Sequence, residues 1–470
     1  MKQEQLYDAV IIGAGLTGLT TALQLARKGL SVAIVEKAQR TGGQIETKKL
    51  NGFTFETGPN TGVLSNYEVI DLFNQLPDCC AEIARPEAKK RLIYKKGKLH
   101  ALPAGLIGGI KTPLFSWNDK FRILFEPFRA KGTNPDESVA GIARRRLGKS
   151  FVNYAVDPFI SGIYAGNPEL LVTRYALPKL YNLEQNYGGF IKGAIKKAKE
   201  PKTDKEKQVT KEVFSVRGGL EELIHSIERE LRTTYKNQVT FFLSAENTQV
   251  FTMQPLWICN FTQNGETKRI HSKSVVSTIG SYELPHLLPF VSPDLMTPIE
   301  RLRYAGVIQV SVGINHGNKY HVNAFGALMP SVEKREVLGV LFPTACFSQR
   351  TTEDKTLYSI FIGGIKRMDL FDYSDRELEG LVRKELHAVV GLPLDYPFEL
   401  FNISRHEKAI PQYEADSGER FDAIEKIEKN YPGLFVAGNI CGGIGMPDRI
   451  RQGYTNAGRI AQYIKNIAVV

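Results

Sequence analysis

The chain has 470 residues, enough for two or three domains, and its 42% hydrophobic and 24% charged residues are typical of a globular protein. Its net charge of +11 suits an anionic ligand, an anionic membrane surface or nucleic acid, but no nucleic-acid-binding motif accompanies it, so we predict no nucleic-acid partner. No apolar run approaches the ~20 residues of a transmembrane helix and no signal peptide is evident, so we expect a cytoplasmic chain that is peripheral, at most, on the inner face of the cell membrane.

The cysteines and histidines predict neither a disulfide framework nor a metal site. Cys79 and Cys80 are adjacent, the other three cysteines are isolated, and no C-x-x-C occurs. The eight histidines show no metal-ligand spacing such as H-E-x-x-H. We therefore expect reduced thiols and no bound metal.

A dinucleotide-binding fingerprint lies near the start of the chain. The apolar run 9–12 leads directly into Gly13, Gly15 and Gly18, and the acidic residue Glu36 follows about 20 residues later. This pattern predicts a buried strand, a tight glycine turn and a helix whose N-terminal N–H groups bind a pyrophosphate. Glu36 is then placed to accept hydrogen bonds from ribose hydroxyls.

Apolar periodicity predicts the remaining elements in chain order. A mostly helical region spans 72–211 and ends in a lysine-dense stretch, 192–211, which we predict to be a solvated loop. Alternating runs between 307 and 362 predict a second, more antiparallel sheet. The other predicted strands are 31–35, 239–242, 248–253, 256–261, 275–280 and 434–438, and the other predicted helices are 220–231, 375–390 and 450–467.

A second glycine-rich loop lies near the end of the chain. The strand 434–438 leads into the loop 442–446, which precedes the last predicted helix. One such loop is common in NAD-dependent enzymes, whereas two loops separated by nearly the whole chain favour a longer cofactor. FAD fits best, with its pyrophosphate at the first loop and its flavin nearer the last.

These motifs resemble those of the flavin amine-oxidase superfamily, which includes amine oxidases, carotenoid desaturases and protoporphyrinogen oxidases. Further segments resemble the bacterial and mitochondrial protoporphyrinogen oxidases, in order and over nearly the whole chain. They are 99–105, 135–139, 161–167, 325–331 and 410–413. The resemblance implies an α/β fold (α+β overall), with a Rossmann-like FAD-binding domain, an antiparallel-sheet substrate domain and a helical, membrane-associating lobe.

The resemblance also implies an activity, the oxygen-dependent, six-electron oxidation of protoporphyrinogen IX to protoporphyrin IX in haem biosynthesis. The expected partners are the porphyrinogen, molecular oxygen, a membrane surface and a ferrochelatase that receives the product. No catalytic side chain is expected, because the flavin carries the chemistry. Coproporphyrinogen III, which has four propionates instead of two, is the nearest alternative substrate. An amine oxidase, a carotenoid desaturase and a non-catalytic flavin-binding protein are more distant alternatives.

The resemblance assigns residues of this sequence to the cofactor. The expected FAD contacts are Gly13, Ala14, Gly15, Leu16, Thr17, Gly18, Glu36, Lys37, Gly43, Gln44, Gly58, Pro59, Asn60, Thr61, Val250, Ile444, Gly445 and Met446. The sequence departs from the family pattern at two of these positions. Gln44 and Asn60 stand where relatives often carry a larger or basic group.

The resemblance also assigns a substrate site. Arg91 is expected to pair with a propionate, and the macrocycle is expected to lie among Phe159, Gly162, Phe325, Leu328 and Phe361. The alternative for Arg91 is a surface ion pair. The alternative for the apolar residues is ordinary core packing.

The membrane-associating lobe is suggested by residues after the uncharged stretch 99–110. Aromatic and aliphatic side chains alternate there with cations, a pattern that suits contact with a lipid surface. They are Leu114, Phe115, Trp117, Phe121, Ile123, Leu124, Phe125 and Phe128, with Lys111, Lys120, Arg122 and Arg129. The alternative is a lobe packed on its own domain. We predict an FAD-binding domain of residues 1–75, 212–285 and 400–470, a helical lobe of 76–211 and a substrate-binding domain of 286–399.

Overall fold

A computed structural model describes residues 6–103, 105–352 and 354–467, apart from the side chains of 105–107 and 317–318. Ala104, within the stretch 99–110, lies outside the described residues. The strands are β1 Leu6–Ile12, β2 Val32–Val35, β3 Thr47–Leu50, β4 Phe53–Glu56, β5 Gly62–Val63, β6 Ala81–Ile83, β7 Arg91–Lys95, β8 Lys98–Ala101, β9 Val213–Val216, β10 Val239–Phe242, β11 Glu246–Met253, β12 Leu256–Gln263, β13 Glu266–Ser277, β14 Tyr304–Asn315, β15 Gly326–Leu328, β16 Val337–Leu341, β17 Lys355–Gly363, β18 Leu400–Pro411 and β19 Leu434–Val436.

The α-helices lie between and around these strands. They are α1 Leu16–Ala26, α2 Tyr67–Asn74, α3 Gly105–Lys111, α4 Trp117–Leu124, α5 Val139–Leu147, α6 Lys149–Phe151, α7 Asp157–Tyr164, α8 Thr173–Ala176, α9 Pro178–Tyr187, α10 Phe190–Ala198, α11 Asp204–Gln208, α12 Glu221–Thr233, α13 Leu284–Leu287, α14 Pro293–Glu300, α15 Pro343–Cys346, α16 Asp375–Val390, α17 Ser417–Asn430 and α18 Met446–Ile467. None of the helices in the described ranges is long and apolar enough to cross a membrane.

The first sheet is the Rossmann-like layer that the sequence predicts. Its strands run in the order β10-β2-β1-β13-β12-β11, and β19 pairs with β13. The pairs that join β1, β2, β10, β13 and β19 are parallel, whereas β11, β12 and β13 form an antiparallel meander. Helices α1, α12 and α18 bury one face, and α13, α14 and α17 bury the other. The continuous apolar runs of the central strands follow from this burial on both faces.

The second sheet is mostly antiparallel, in the order β18-β14-β17-β16-β15-β7-β8. One face carries alternate residues such as Ile308, Val310 and Ile360, and it packs against α16. The opposite face meets the first domain, where Gln309 Nε2 of β14 donates a 2.7 Å hydrogen bond to the carbonyl of Glu56. The second sheet therefore presents one of its faces to the predicted cofactor-binding domain.

The second sheet contains strands from two segments that the predicted domain boundaries place in other domains. The predicted boundaries put the hairpin of β7 and β8 in the helical lobe, but β7 pairs in parallel with β15 of the second sheet. Strand β18 was assigned to the FAD-binding domain, but it pairs along β14. Both pairings join segments far apart in sequence, so local periodicity carries no sign of them.

The lysine-dense stretch is also more ordered than predicted. Residues 192–198 belong to α10, whose first two N–H groups, those of Phe190 and Ile191, donate to the buried carboxylate of Glu126 at 2.8 and 3.0 Å. Glu126 also pairs with the fully buried Arg146. The prediction of a loop over 192–211 was therefore wrong for α10 and for the short helix α11.

Candidate active site

The first glycine loop has the geometry that the fingerprint predicts. Gly13 has a φ of +101°, which only glycine adopts readily. A Cβ on Gly18 would lie 2.0 Å from the Gly13 carbonyl oxygen, so close packing of β1 and α1 requires glycine there. A Cβ on Gly15, in contrast, would meet no atom within 4 Å. The backbone at Gly15 thus borders open space beside the N-terminus of α1.

The start of α1 leaves hydrogen-bond donors without partners. The backbone N–H groups of Leu16, Thr17 and Gly18 donate to no group of the described residues, and Gly15, the N-cap, offers no side chain. The buried Thr17 hydroxyl also lacks a partner within the described ranges. Glu36 is held close by, since its carboxylate accepts from Ala14 N at 2.7 Å and from Ala38 N at 2.9 Å. The N–H groups at the start of α1 fit a pyrophosphate, which accepts hydrogen bonds and is negatively charged.

Two further predicted segments pack beside this loop. A Cβ on Gly43 would lie 3.4 Å from Gly15 Cα, and a Cβ on Gly58 would lie 2.0 Å from the Gln44 carbonyl oxygen. Asn60 Nδ2 donates to the Gly58 carbonyl at 2.9 Å. Thr61 lies next to Asn60 in the lining of a cavity described below, and Pro59 is half-buried between Gly58 and Asn60.

Of the other predicted cofactor residues, Lys37 is exposed and Val250 is buried. The Lys37 ammonium is exposed and bonds to Glu283 at 2.7 Å, a hydrogen bond that raises the pKa of Lys37. Val250 is fully buried in β11. The chain just before β11 runs beside Glu36, because Ala245 N donates to the Glu36 carbonyl at 2.9 Å.

The last glycine loop is brought next to the first by helix packing. Helix α18 begins at Met446 and lies against α1, where a Cβ on Gly453 would be 2.6 Å from Thr20 Cβ. Met446 and Leu16 are buried in the same core. The N-termini of α1 and α18 therefore lie on one side of the sheet, as a single extended cofactor requires.

Within the last loop, backbone N–H groups are again left without partners. Those of Ile444 and Met446 donate to no group of the described residues. Gly445 N donates to Asp448 Oδ2 at 3.3 Å, so Asp448 satisfies one of the donors at the start of α18. The loop can thus offer N–H groups to a ligand.

The predicted substrate residues from the second sheet gather on one of its faces. Gly326 of β15 is in register with Arg91 of β7, and the Arg91 guanidinium carbon lies 5.4 Å from the Phe325 ring centroid. Arg91 is exposed and forms no ion pair with any carboxylate in the described part of the chain. The alternative of a surface ion pair for Arg91 therefore finds no partner there.

Three other predicted substrate residues, Gly162, Leu328 and Phe361, lie around the same face. A Cβ on Gly162 of α7 would lie 2.6 Å from Leu328 Cδ2, so glycine allows α7 to approach β15. Leu328 and Phe361 are each half-buried, and each packs on one side against a small apolar cluster. Phe159, on α7, is 44% exposed.

A small, largely apolar cavity of about 20 Å³, with room for about one water molecule, borders residues of both predicted groups. Its lining includes Asn60 and Thr61 from the cofactor group and Phe325 from the substrate group. Glu56 and Arg350 also line it, and they form a buried ion pair at 2.8 Å. Burial raises the pKa of Glu56, against the opposing effect of the Arg350 charge. Sequence reasoning missed this pair, because nothing local marks either residue as buried.

Comparison with known proteins shows the family of the chain. The family model of flavin-containing amine oxidoreductases matches residues 16–461. The chain belongs to this family. It is an oxidoreductase and a flavoprotein that takes FAD, and the unpaired N–H groups of both glycine loops fit such a cofactor.

Individual relatives in this family are similar along their whole length. The chain is 29% identical to a mitochondrial protoporphyrinogen oxidase of Nicotiana tabacum, over 99% of this chain and 97% of that one. It is 27% identical to the protoporphyrinogen oxidase of Homo sapiens, over 94% and 96%. It is 24% identical to the coproporphyrinogen III oxidase of Bacillus subtilis, over 94% and 96%.

Solved structures share the fold of this chain. A protein of Exiguobacterium sp. 255-15, provisionally named a protoporphyrinogen oxidase, superposes with a TM-score of 0.79 at 22% identity, over 97% of this chain and 99% of that one. Putrescine oxidase bound to putrescine gives a TM-score of 0.68 at 15% identity, over 97% and 99%. The predicted fold class is confirmed.

Proposed function

We propose that this flavoprotein oxidises protoporphyrinogen IX to protoporphyrin IX, with molecular oxygen as the final electron acceptor. The observation that carries the proposal is the placement of Arg91. The Arg91 guanidinium has no ion pair in the described part of the chain, and it lies over Phe325 on a sheet face shared with Leu328 and Phe361. The names of the relatives support a porphyrinogen as the substrate class.

The residues of the chain bind and orient a flat, apolar molecule with acidic edges. Bound FAD would supply the redox chemistry, as the acceptor of hydride and the donor of electrons to oxygen. Arg91 binds a propionate through charge-assisted hydrogen bonds, and the Phe325 face holds the guanidinium in place. Leu328 and Phe361 offer apolar surface to the ring, while Gly162 keeps α7 close.

Coproporphyrinogen III is the second candidate substrate, favoured by the similarity to the Bacillus subtilis enzyme. It carries four propionates, so it demands more unpaired cations than protoporphyrinogen IX. The buried cation of the cavity, Arg350, is already neutralised by Glu56. Among the described residues, Arg91 is the cation that lies over the Phe325 ring and has no ion pair, which favours the substrate with fewer propionates.

The test compares initial rates on protoporphyrinogen IX and coproporphyrinogen III under air, read as porphyrin fluorescence above the spontaneous rate. We expect a larger kcat/KM for protoporphyrinogen IX. A larger value for coproporphyrinogen III would reverse the order of the two candidates. Bound FAD with no rate on either would overturn the proposal, and flavin absorbance that fails to bleach under anaerobic substrate would identify a non-catalytic binder.

We also propose that the protein is cytoplasmic and binds the inner face of the cell membrane through an aromatic patch. The patch consists of Trp117, Phe121, Leu124, Phe125 and Phe128. Their side chains are 56–84% exposed, the upper value belonging to Phe128. Lys120 lies 4.5 Å from the Trp117 ring. Exposed aromatic groups beside cations suit the boundary between headgroups and acyl chains.

This location would also suit transfer of the product to a ferrochelatase, which we propose as a partner. Protoporphyrin IX is a largely apolar macrocycle, so release next to a membrane or directly to the next enzyme limits its exposure to water. Co-sedimentation of the two purified proteins on anionic vesicles tests this proposal. Equal binding with and without the second protein would contradict direct transfer.

A further inference from the structure

Two buried arginines lie beneath the last glycine loop. Arg420, on α17, is fully buried, and Arg449, on α18, is 9% exposed. Neither forms an ion pair with a carboxylate of the described residues. Removing a charge from water costs several kcal/mol unless a counter-charge is present. Two uncompensated guanidinium groups at one loop therefore point to an anionic ligand.

Both guanidinium groups bond to the carbonyl oxygens of this loop. Arg449 Nη2 donates to the carbonyls of Cys441 and Gly443 at 3.0 and 2.7 Å. Arg420 Nε donates to the Ile440 carbonyl at 3.2 Å. Each arginine also has one nitrogen without a partner in the described ranges, Nη1 of Arg420 and Nε of Arg449.

Neighbouring side chains fix the loop on the same side. The Tyr413 hydroxyl accepts from Gly443 N at 3.1 Å and lies 3.0 Å from the Asn439 carbonyl oxygen. The Arg420 guanidinium carbon lies 5.5 Å from the Tyr413 ring centroid. Gln452 accepts from Gly438 N at 2.9 Å and from Arg449 Nη1 at 2.9 Å.

These hydrogen bonds fix the orientation of the last glycine loop. Its carbonyl groups at 440, 441 and 443 are directed at the arginines, while the N–H groups of Ile444 and Met446 have no partner in the described part of the chain. Carbonyl groups held on cations leave the N–H groups at 444 and 446 available to an acceptor on the other side. The positive charges behind the loop add to the positive potential of the α18 N-terminus.

We propose that Arg420 and Arg449 are positioning residues that orient this loop and stabilise the negative charge that FAD acquires on reduction. Hydride brings two electrons and one proton, so a neutral flavin ring gains one negative charge. A nearby buried cation stabilises that charge strongly, because the local dielectric constant is low. The inference rests on FAD binding at the last loop and is independent of which porphyrinogen is oxidised.

The experiment measures the two-electron midpoint potential of the bound flavin by dye equilibration, without porphyrinogen. The variants are Arg449→Gln, which removes the charge, and Arg449→Lys, which keeps it, with Arg420→Gln and Arg420→Lys as the second pair. Lys465→Gln is the control, because it removes one positive charge from the exposed far end of α18. We expect each Gln variant to shift the reduction equilibrium about tenfold towards oxidised flavin, a fall of about 30 mV. The Lys variants and the control should stay near the unsubstituted protein.

The remaining outcomes also decide the question. Gln variants that hold FAD at an unchanged potential would overturn the proposal. If the Gln variants lose FAD, retention by the Lys variants supports a role of the charge, whereas equal loss in both would overturn the proposed role of the charge. Since no porphyrinogen is used, failure of this test is distinguishable from failure of the proposed oxidation.

Discussion

The guanidinium carbon of Arg91 lies 5.4 Å from the centroid of the Phe325 ring. The two residues are brought together because β7 pairs in parallel with β15, which follows Phe325 directly, and because Phe325 N donates to the Lys90 carbonyl at 2.8 Å. The face of an aromatic ring attracts a cation, so Phe325 stabilises the guanidinium at this position. Because Arg91 has no ion pair within the described ranges, it can bind a carboxylate without losing one there.

Replacement of Arg91 by alanine is expected to weaken substrate binding while FAD stays bound. A hydrogen bond to a charged group contributes about 1.5–3 kcal/mol, so KM for protoporphyrinogen IX should rise roughly 10- to 100-fold. The KM of the Arg91→Lys variant should lie between those of the unsubstituted protein and Arg91→Ala, because lysine keeps the charge but loses the bidentate geometry. Steady-state kinetics and the flavin-to-protein absorbance ratio measure both effects. Equal losses of substrate affinity and FAD would mean that Arg91 is structural.

Substitutions at two glycines of the first loop should have opposite effects. A Cβ at Gly15 enters open space, so Gly15→Val should fold but lose FAD, because its side chain occupies the place expected for the pyrophosphate. A Cβ at Gly18 would lie 2.0 Å from a carbonyl oxygen, so Gly18→Val should lower the melting temperature of the apoprotein. Gly458→Ala is the control, since a Cβ there meets no atom within 4 Å. FAD retention by Gly15→Val would contradict the assignment of the pyrophosphate.

The elements that sequence predicts well are those fixed by local pattern. Helix α1 begins at Leu16 and ends at Ala26, in accord with its apolar spacing, and β1 and β2 carry the continuous apolar runs expected of buried parallel strands. The two glycine loops are recognisable because backbone conformation and close packing at such positions require glycine. These glycines can therefore be recognised in the sequence without knowing which residues pack against them.

The features that sequence missed depend on contacts between distant segments. Helix α10 has a short buried face, and its N-terminus is capped by Glu126, which lies about 60 residues earlier. Arg350 is buried by pairing with Glu56, and Arg449 by bonding to loop carbonyls. Nothing in the neighbouring sequence distinguishes these charged residues from exposed ones. Long-range pairing of polar groups is what places them.

The aromatic patch predicts binding to anionic vesicles. Transfer of one phenylalanine side chain out of water contributes about 1.5–3 kcal/mol, so Phe125→Ser and Phe128→Ser should each weaken binding at least about tenfold. Leu394→Ser is the matched control, because Leu394 is 51% exposed but lies in the loop after α16, within the second-sheet domain. Flotation with vesicles measures the partition. Higher salt should weaken binding of all forms. Equal flotation of the Phe variants and the Leu394 variant would contradict a membrane role of the patch.

The buried pair of Glu56 and Arg350 should stabilise the contact between the domain of the first sheet and the domain of the second sheet. Arg350 Nη1 lies 2.8 Å from Glu56 Oε1, and Glu56 also accepts from Thr47 Oγ1 at 2.6 Å and from Leu220 N at 3.0 Å. Removal of one member of a buried pair leaves an uncompensated charge and costs about 3–5 kcal/mol. Arg350→Met should therefore lower the melting temperature strongly, whereas Glu56→Gln combined with Arg350→Met should recover part of the loss.

The pH dependence of Arg350→Met provides a second measurement. Burial already raises the pKa of Glu56, and loss of the Arg350 charge removes an effect that lowers it. A carboxyl group whose pKa is raised by folding stabilises the folded state while protonated, and that stability is lost as the pH rises through the raised pKa. The melting temperature of Arg350→Met should therefore recover, relative to the unsubstituted protein, as the pH is lowered. A difference that stays constant with pH would show that Glu56 is not the group left uncompensated.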